Sequence, residues 1–176
     1  MGHSYGGLLV QLLVQKDLAE AGICINSFPP KGFTALKFSF YKNIIPLSFG
    51  VFSSKKTLIL PFENWREPFF TNTSFEEQKT EYEKFIIPES KKALRDLFSK
   101  NAKINLKKKH VPLFFISCSE DQIIPSKLVQ WNFRKHRNIH SITCFKEFQN
   151  KNHFVILHPE WQEVAECISK WIEKVT

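Results

Sequence analysis

Residues 2–7 read Gly2-His3-Ser4-Tyr5-Gly6-Gly7, and the first five fit G-x-S-x-G, the sharp strand-to-helix turn that lifts a serine hydroxyl clear of the backbone. A hydroxyl is a poor nucleophile at neutral pH. A reactive Ser4 therefore needs a base within hydrogen-bond reach and a carboxylate that orients the base. Small residues two before and two after the serine, Gly2 and Gly6, are expected to relieve the crowding of such a turn, and the Tyr5 N–H is expected to face a developing oxyanion. The competing reading of Ser4 is an ordinary N-cap of the following helix. The pentapeptide leaves the two level, so the rest of the chain decides.

Working outward, Gly7–Ala21 has helical length, with Leu8, Leu9, Leu12 and Leu13 as its apolar stripe, Gln11, Gln15, Lys16 and Glu20 as polar positions, and Gly22 as its stop. Ile23–Phe28 is a short apolar run of the buried-strand kind, closed by Pro29-Pro30-Lys31-Gly32. From residue 33 to 105 the rhythm changes to an aromatic-rich stretch punctuated by Pro46, Pro61, Pro68 and Pro88. Within it Ser74-Phe75-Glu76-Glu77 is a capping box that predicts a helix to Phe85, and Pro88-Glu89-Ser90 opens another through Leu94, Leu97 and Phe98. The stretch reads as a helical insertion of about four short helices.

Alternation returns with Val111–Ser117, an apolar run of the parallel-strand kind. The loop Cys118–Pro125 leads to a helix over Ser126–Lys135, then a strand over Ile142–Phe148 and a closing helix over Pro159–Val175. The closing helix carries Trp161, Val164, Ala165, Ile168, Trp171 and Ile172 at helical spacing. Strands alternating with helices predict a parallel α/β sheet. The expected organisation is 1–32 as the start of the core, 33–105 as the insertion and 106–176 as the rest of the core.

Two residues then join Ser4. Asp121 lies in SCSEDQIIP, past the end of the strongest strand, and His153 lies in NKNHFVILHPEW, between the last strand and the last helix. Reactive groups of parallel sheets gather at such carboxyl ends. Each alone reads as a loop or capping residue, but the order Ser4, Asp121, His153 on successive loops is that of a serine nucleophile, its acid and its base.

These residues carry a resemblance. GHSYGG (2–7), PLFFISCSEDQIIP (112–125) and NHFVILHPEWQEVAECISKWI (152–172) resemble the C-terminal two-thirds of an α/β-hydrolase of the esterase/lipase type, and SFPPKGF (27–33) is similar to a turn in some of its members. The resemblance implies an α/β-hydrolase fold lacking its N-terminal strands: a partial parallel sheet of about three strands, flanking helices and a helical cap. It implies Ser4 as nucleophile, His153 as general base and acid, Asp121 rather than Glu120 as orienting carboxylate, Tyr5 in the oxyanion hole, and Gly2, His3 and Gly6 as the elbow. The family carries about five strands before the elbow, with a second oxyanion donor upstream. Here only Met1 precedes Gly2. The expected consequence is an exposed sheet edge, covered by a partner or by self-association.

Composition bounds the rest. With 43% hydrophobic and 24% charged residues the chain is globular in kind, and its net charge of +8 is scattered, without a basic helix face, so no nucleic-acid partner is expected. No run approaches the ~20 apolar residues of a membrane span. Cys24, Cys118, Cys144 and Cys167 stand far apart with no C-x-x-C pair, which suits a reduced, cytoplasmic chain and argues against a cysteine zinc motif. His158 is expected to flank the last helix, and His110, His136 and His140 to lie at the surface; no metal or cofactor is expected. Phe38, Phe40, Phe49, Phe52, Phe69 and Phe70 suggest an apolar pocket. The leading expectation is hydrolysis of a small carboxylic ester or similar acyl compound through a Ser-Asp-His triad. The alternative is a non-catalytic remnant or interaction module, and nucleic-acid binding rests on charge alone.

Overall fold

The computed structural model describes residues 1–32, 56–69, 74–136 and 138–175. Gly2–His3 is itself a strand, β1, and Ser4 leads directly into helix α1 (Tyr5–Gln15) and strand β2 (Gly22–Ile25). Within the insertion, β3 (Thr57–Leu58) precedes α2 (Phe62–Phe69) and α3 (Phe75–Phe85), followed by β4 (Glu89–Ser90), α4 (Lys91–Asp96) and a 3₁₀ turn at Lys100–Ala102. The chain ends with β5 (Leu113–Cys118), α5 (Ser126–Lys135), β6 (Thr143–Phe148), a 3₁₀ turn at Val155–Leu157 and α6 (Trp161–Val175).

The main sheet is parallel, in the order β1-β2-β5-β6. Among the described residues it holds four strands where about three were expected, because Gly2 and His3 take parallel register opposite Cys24 and Ile25. Every residue of β5 is buried, as a central strand covered on both faces requires. One face packs Leu113 and Phe115 against Leu8, Val10 and Val14 of α1 and Leu128 and Val129 of α5. The other packs Ile23, Phe114 and Ile116 against Val164, Ile168 and Trp171 of α6. Trp161, read as part of that stripe, is exposed at the start of α6.

Helix α1 departs from its sequence reading in length and in its buried face. It ends at Gln15, where Asp17 takes a left-handed φ of 58° and the N–H groups of Asp17 and Leu18 return to the carbonyls of Val14 and Leu13. That is a Schellman stop on an aspartate, a residue that tolerates this conformation. Gly22 instead begins β2, where an added Cβ would lie 2.6 Å from the Leu113 side chain. The buried face runs through Gly7, Leu8, Val10, Gln11 and Val14, so Leu8 is buried as expected, whereas Leu9 and Leu13 are 42% and 46% exposed. Gln11 is buried because its amide is used: Nε2 donates to Ser27 Oγ (2.8 Å) and to the Phe28 carbonyl (3.2 Å), and Oε1 accepts from Asn132 Nδ2 (3.2 Å). Periodicity counts side-chain polarity and cannot register an amide that finds both partners.

The capping box forms as read, with Glu77 N–H donating to Ser74 Oγ and Ser74 N–H to the Glu77 carboxylate. The insertion also contains an antiparallel β3–β4 pair that the sequence did not suggest, and Leu97 and Ala102 within it are buried in the α1-side core. The Phe38, Phe40, Phe49, Phe52 and Phe70 of the anticipated apolar pocket, and the Phe69 side chain, fall outside the described residues.

Candidate active site

Four chain segments leave the carboxyl ends of the parallel strands side by side: Ser4 after β1, Asn26 after β2, the Asp121 loop after β5 and the His153 loop after β6. The sheet therefore brings Ser4, Asp121 and His153, from distant parts of the sequence, to its carboxyl end.

Ser4 has φ 54° and ψ −117°, a left-handed backbone that costs a non-glycine residue about 1–3 kcal/mol. Its N–H donates to the Ile25 carbonyl (2.9 Å), and its own carbonyl accepts from Gly7 and Phe28 (3.1 Å each). Ser4 stands at the N-cap position of α1, but its side chain makes no capping bond to the helix. Gly2 is required by close approach, since a Cβ there would lie 2.2 Å from the Gly6 carbonyl oxygen. The symmetrical expectation for Gly6 is corrected: a Cβ on Gly6 meets nothing within 4 Å, and it is Gly7 that would clash, 2.5 Å from Ser27 Cβ. Crowding thus falls on the turn that backs the elbow. Tyr5 begins α1, which places its N–H among the first-turn donors that have no intrahelical partner, at the positive end of the helix dipole.

His153 is 2% exposed and its Nδ1–H donates to Asp121 Oδ2 at 2.7 Å. The other oxygen, Oδ1, accepts from the N–H groups of Ile123 and Ile124 at 2.8 Å each, which fixes the orientation of the carboxylate. With Nδ1 as donor, the imidazole lone pair resides on Nε2, the arrangement a general base requires. The carboxylate that meets His153 is that of Asp121, at the offset before Ile124-Pro125 that the sequence favoured over Glu120.

His3 couples the elbow to the histidine loop. Its Nε2–H donates to the His153 carbonyl at 2.7 Å and the two rings lie 4.6 Å apart. Burial, and then the proximity of His153, holds the His3 pKa down to about 3, so it serves as a neutral donor. The histidine loop is braced further by Lys151, 3% exposed, whose ammonium pairs with Glu160 and Glu163 at 2.9 and 3.0 Å, and whose carbonyl accepts from Glu120 N–H. Phe154, next to His153, carries an aromatic cluster of the insertion: Trp65 lies edge-on to it at 6.0 Å, and Trp65 in turn packs against Tyr82.

Sequence reasoning missed Lys151, Asn26 and Gln11, all buried polar residues without a motif. It also misplaced two histidines. His110 and His136 pack perpendicular to each other at 5.4 Å beside Gln11, and burial pushes the His136 pKa down to about 4. His158 accepts the Glu160 N–H, flanking α6 as expected. Among the described residues, no three His, Cys, Asp or Glu side chains are placed to hold a metal ion, and no helix is long and apolar enough to cross a membrane.

A strained serine between a strand and a helix, with a buried histidine–carboxylate pair on neighbouring strand ends, belongs to one class of architecture. The chain has the α/β-hydrolase fold. Polyneuridine aldehyde esterase superimposes with a TM-score of 0.62 at 19% identity, over 96% of this chain and 69% of its own. A monoacylglycerol lipase from Paleococcus ferrophilus gives 0.64 at 19%, over 99% and 67%, and a bromoperoxidase from Bacillus anthracis gives 0.66 at 14%, over 98% and 66%. The chain thus spans about two thirds of the length of these structures. No protein-family model matches the sequence, nor does any curated protein.

Proposed function

We propose that this chain carries the nucleophile, acid and base of a serine hydrolase acting on a carboxylic ester or similar acyl compound. The observation that supports it most is the buried 2.7 Å bond between His153 Nδ1 and Asp121 Oδ2, beside a serine strained to φ 54°. In this reading His153 Nε2 removes the Ser4 proton as Oγ attacks the acyl carbonyl. The Tyr5 N–H stabilises the oxyanion, and the protonated imidazole then delivers the proton to the departing alkoxide. Water, activated by the same nitrogen, resolves the acyl-enzyme. Asp121 holds the imidazole tautomer throughout and stabilises its positive charge. Residues 33–105 act as the cap, and the aromatic cluster on Phe154 fits an apolar acyl or alcohol group. A fluorophosphonate probe tests the proposal: it labels the folded protein and not Ser4→Ala. Equal labelling of both proteins overturns it.

A second reading is favoured by Leu9, Leu13 and Leu18, all exposed on or just after α1. An interaction module would use this apolar side of the elbow helix to dock a partner. It expects no labelling of Ser4 and a mass above that of the monomer by light scattering.

A further inference from the structure

Asn26 is the residue on which the three loops converge, and no motif marks it. It lies directly after β2, is fully buried, and has a left-handed φ of 42°. Its N–H donates to the Ile116 carbonyl of β5 at 2.8 Å, and its Nδ2 donates to the Asn152 carbonyl at 3.3 Å. Its carboxamide also bonds the Cys118 thiol, three residues before Asp121. The residue before it, Ile25, accepts the Ser4 N–H. One asparagine therefore joins the backbone behind the nucleophile, the strand that carries the acid, and the peptide immediately before His153. Its Oδ1 is buried without a partner, and its backbone lies in the left-handed region, which asparagine tolerates better than most side chains. A buried amide with an unpartnered oxygen is not what stability alone selects.

We propose that Asn26 is a positioning residue for the hydrolytic reaction: its carboxamide sets the place of the His153 backbone relative to Ser4 and Asp121. The inference rests on the serine-hydrolase reading above. The imidazole is anchored at Nδ1 by Asp121, so where Nε2 points is decided by the backbone from which the ring hangs. Asn26 holds that backbone from the β2 side, whereas His3 holds the His153 carbonyl from the elbow and Lys151 ties the loop to α6. Without the carboxamide the loop keeps those other bonds. The protein then folds, while the nucleophile–base contact, which is sensitive to sub-ångström displacement, loosens.

Asn26→Gly is the informative variant, because it keeps the left-handed backbone and removes only the side chain. The expected result is a folded protein whose rate of fluorophosphonate labelling at Ser4 falls at least tenfold. For a soluble p-nitrophenyl ester, kcat should fall by the same factor with KM within twofold. The far-downfield proton resonance of His153 Nδ1 should broaden or shift. Labelling within twofold of the parent, with that resonance unchanged, overturns the proposal. Should Asn26→Gly not fold, the parent decides: slowly exchanging Asn26 side-chain amide protons support the bond to Asn152, and exchange at the rate of a solvent-exposed amide overturns it. If the parent is not labelled at Ser4, the hydrolase reading fails. The resonance then tests alone whether Asn26 sets the imidazole.

Discussion

Replacing Asp121 with asparagine separates the orienting role of this residue from its space-filling role. Oδ1 accepts two backbone N–H bonds at 2.8 Å, from Ile123 and Ile124. The asparagine therefore keeps its oxygen there, since turning the amide would set its NH₂ against two donors. Its NH₂ consequently faces His153 Nδ1 in place of the carboxylate oxygen now 2.7 Å away. Nδ1 must become an acceptor, the imidazole proton moves to Nε2, and the nitrogen meant to take the Ser4 proton already carries one. A wrong tautomer of this kind costs ~10³–10⁴ in kcat, or about 4–5.5 kcal/mol of transition-state stabilisation at 1.36 kcal/mol per decade. The fold keeps both backbone bonds and loses one charge-assisted bond, about 1.5–3 kcal/mol. The assay is p-nitrophenyl ester hydrolysis with urea denaturation of the same samples. The expected pattern is a loss of three to four decades in kcat, little change in KM, and a folded protein. A loss under tenfold in folded Asp121→Asn would refute the assignment of Asp121 as the carboxylate that orients His153.

Three further outcomes follow from the same geometry. Gly2→Ala places a Cβ 2.2 Å from the Gly6 carbonyl oxygen, where ordinary contact begins near 3.4 Å, so the elbow must open; Ser4 labelling should collapse and thermal stability should fall by about 1–3 kcal/mol, whereas Gly6→Ala, with open space around it, should retain the fold. His3 and His136 are held neutral by burial, with pKa values near 3 and 4 against 6.5 for the unfolded chain, so the unfolded state binds more protons and stability must decrease as pH falls below 6.5. At pH 5 each contributes about 2 kcal/mol of that loss, at 1.36 kcal/mol per pH unit; urea denaturation at pH 7 and pH 5 checks it, and equal midpoints would contradict the burial of both rings. Lys151→Met removes the clamp between the histidine loop and α6, leaving two glutamates that are already 61–71% exposed; the cost should be about 1–2 kcal/mol, with hydrogen exchange rising in residues 150–158 ahead of the sheet.

The α/β alternation was readable because two signals agree. Apolar runs with no polar interruption mark strands buried on both faces, and β5, the most continuous of them, is the central strand. Helix α5 matched its reading from Ser126 to Lys135, and α3 began at its capping box. What escaped was decided by packing. β1 has two residues, too few for any period, and exists only because β2 offers it a parallel edge. Helix α1 ends at Gln15, seven residues before Gly22, because Asp17 can itself adopt the left-handed turn.

The site divides along the same line. Asp121 and His153 are 32 residues apart and meet because each follows a strand, and neighbouring parallel strands present their ends together. Topology alone brings them close, so a correct strand order was enough to pair them. Asn26 and Asn152 are 126 residues apart, and Gln11 and Asn132 are 121 apart; each pair depends on which way an amide turns in a crowded interior. No pattern of hydrophobicity encodes that choice. The same distinction bears on the proposed function, because strand order brings Ser4, Asp121 and His153 to the carboxyl end of the sheet with tolerances of an ångström or more. The proton transfer proposed between Ser4 and His153 requires a narrower tolerance. The buried amides that the sequence did not announce are the parts of this structure able to supply it.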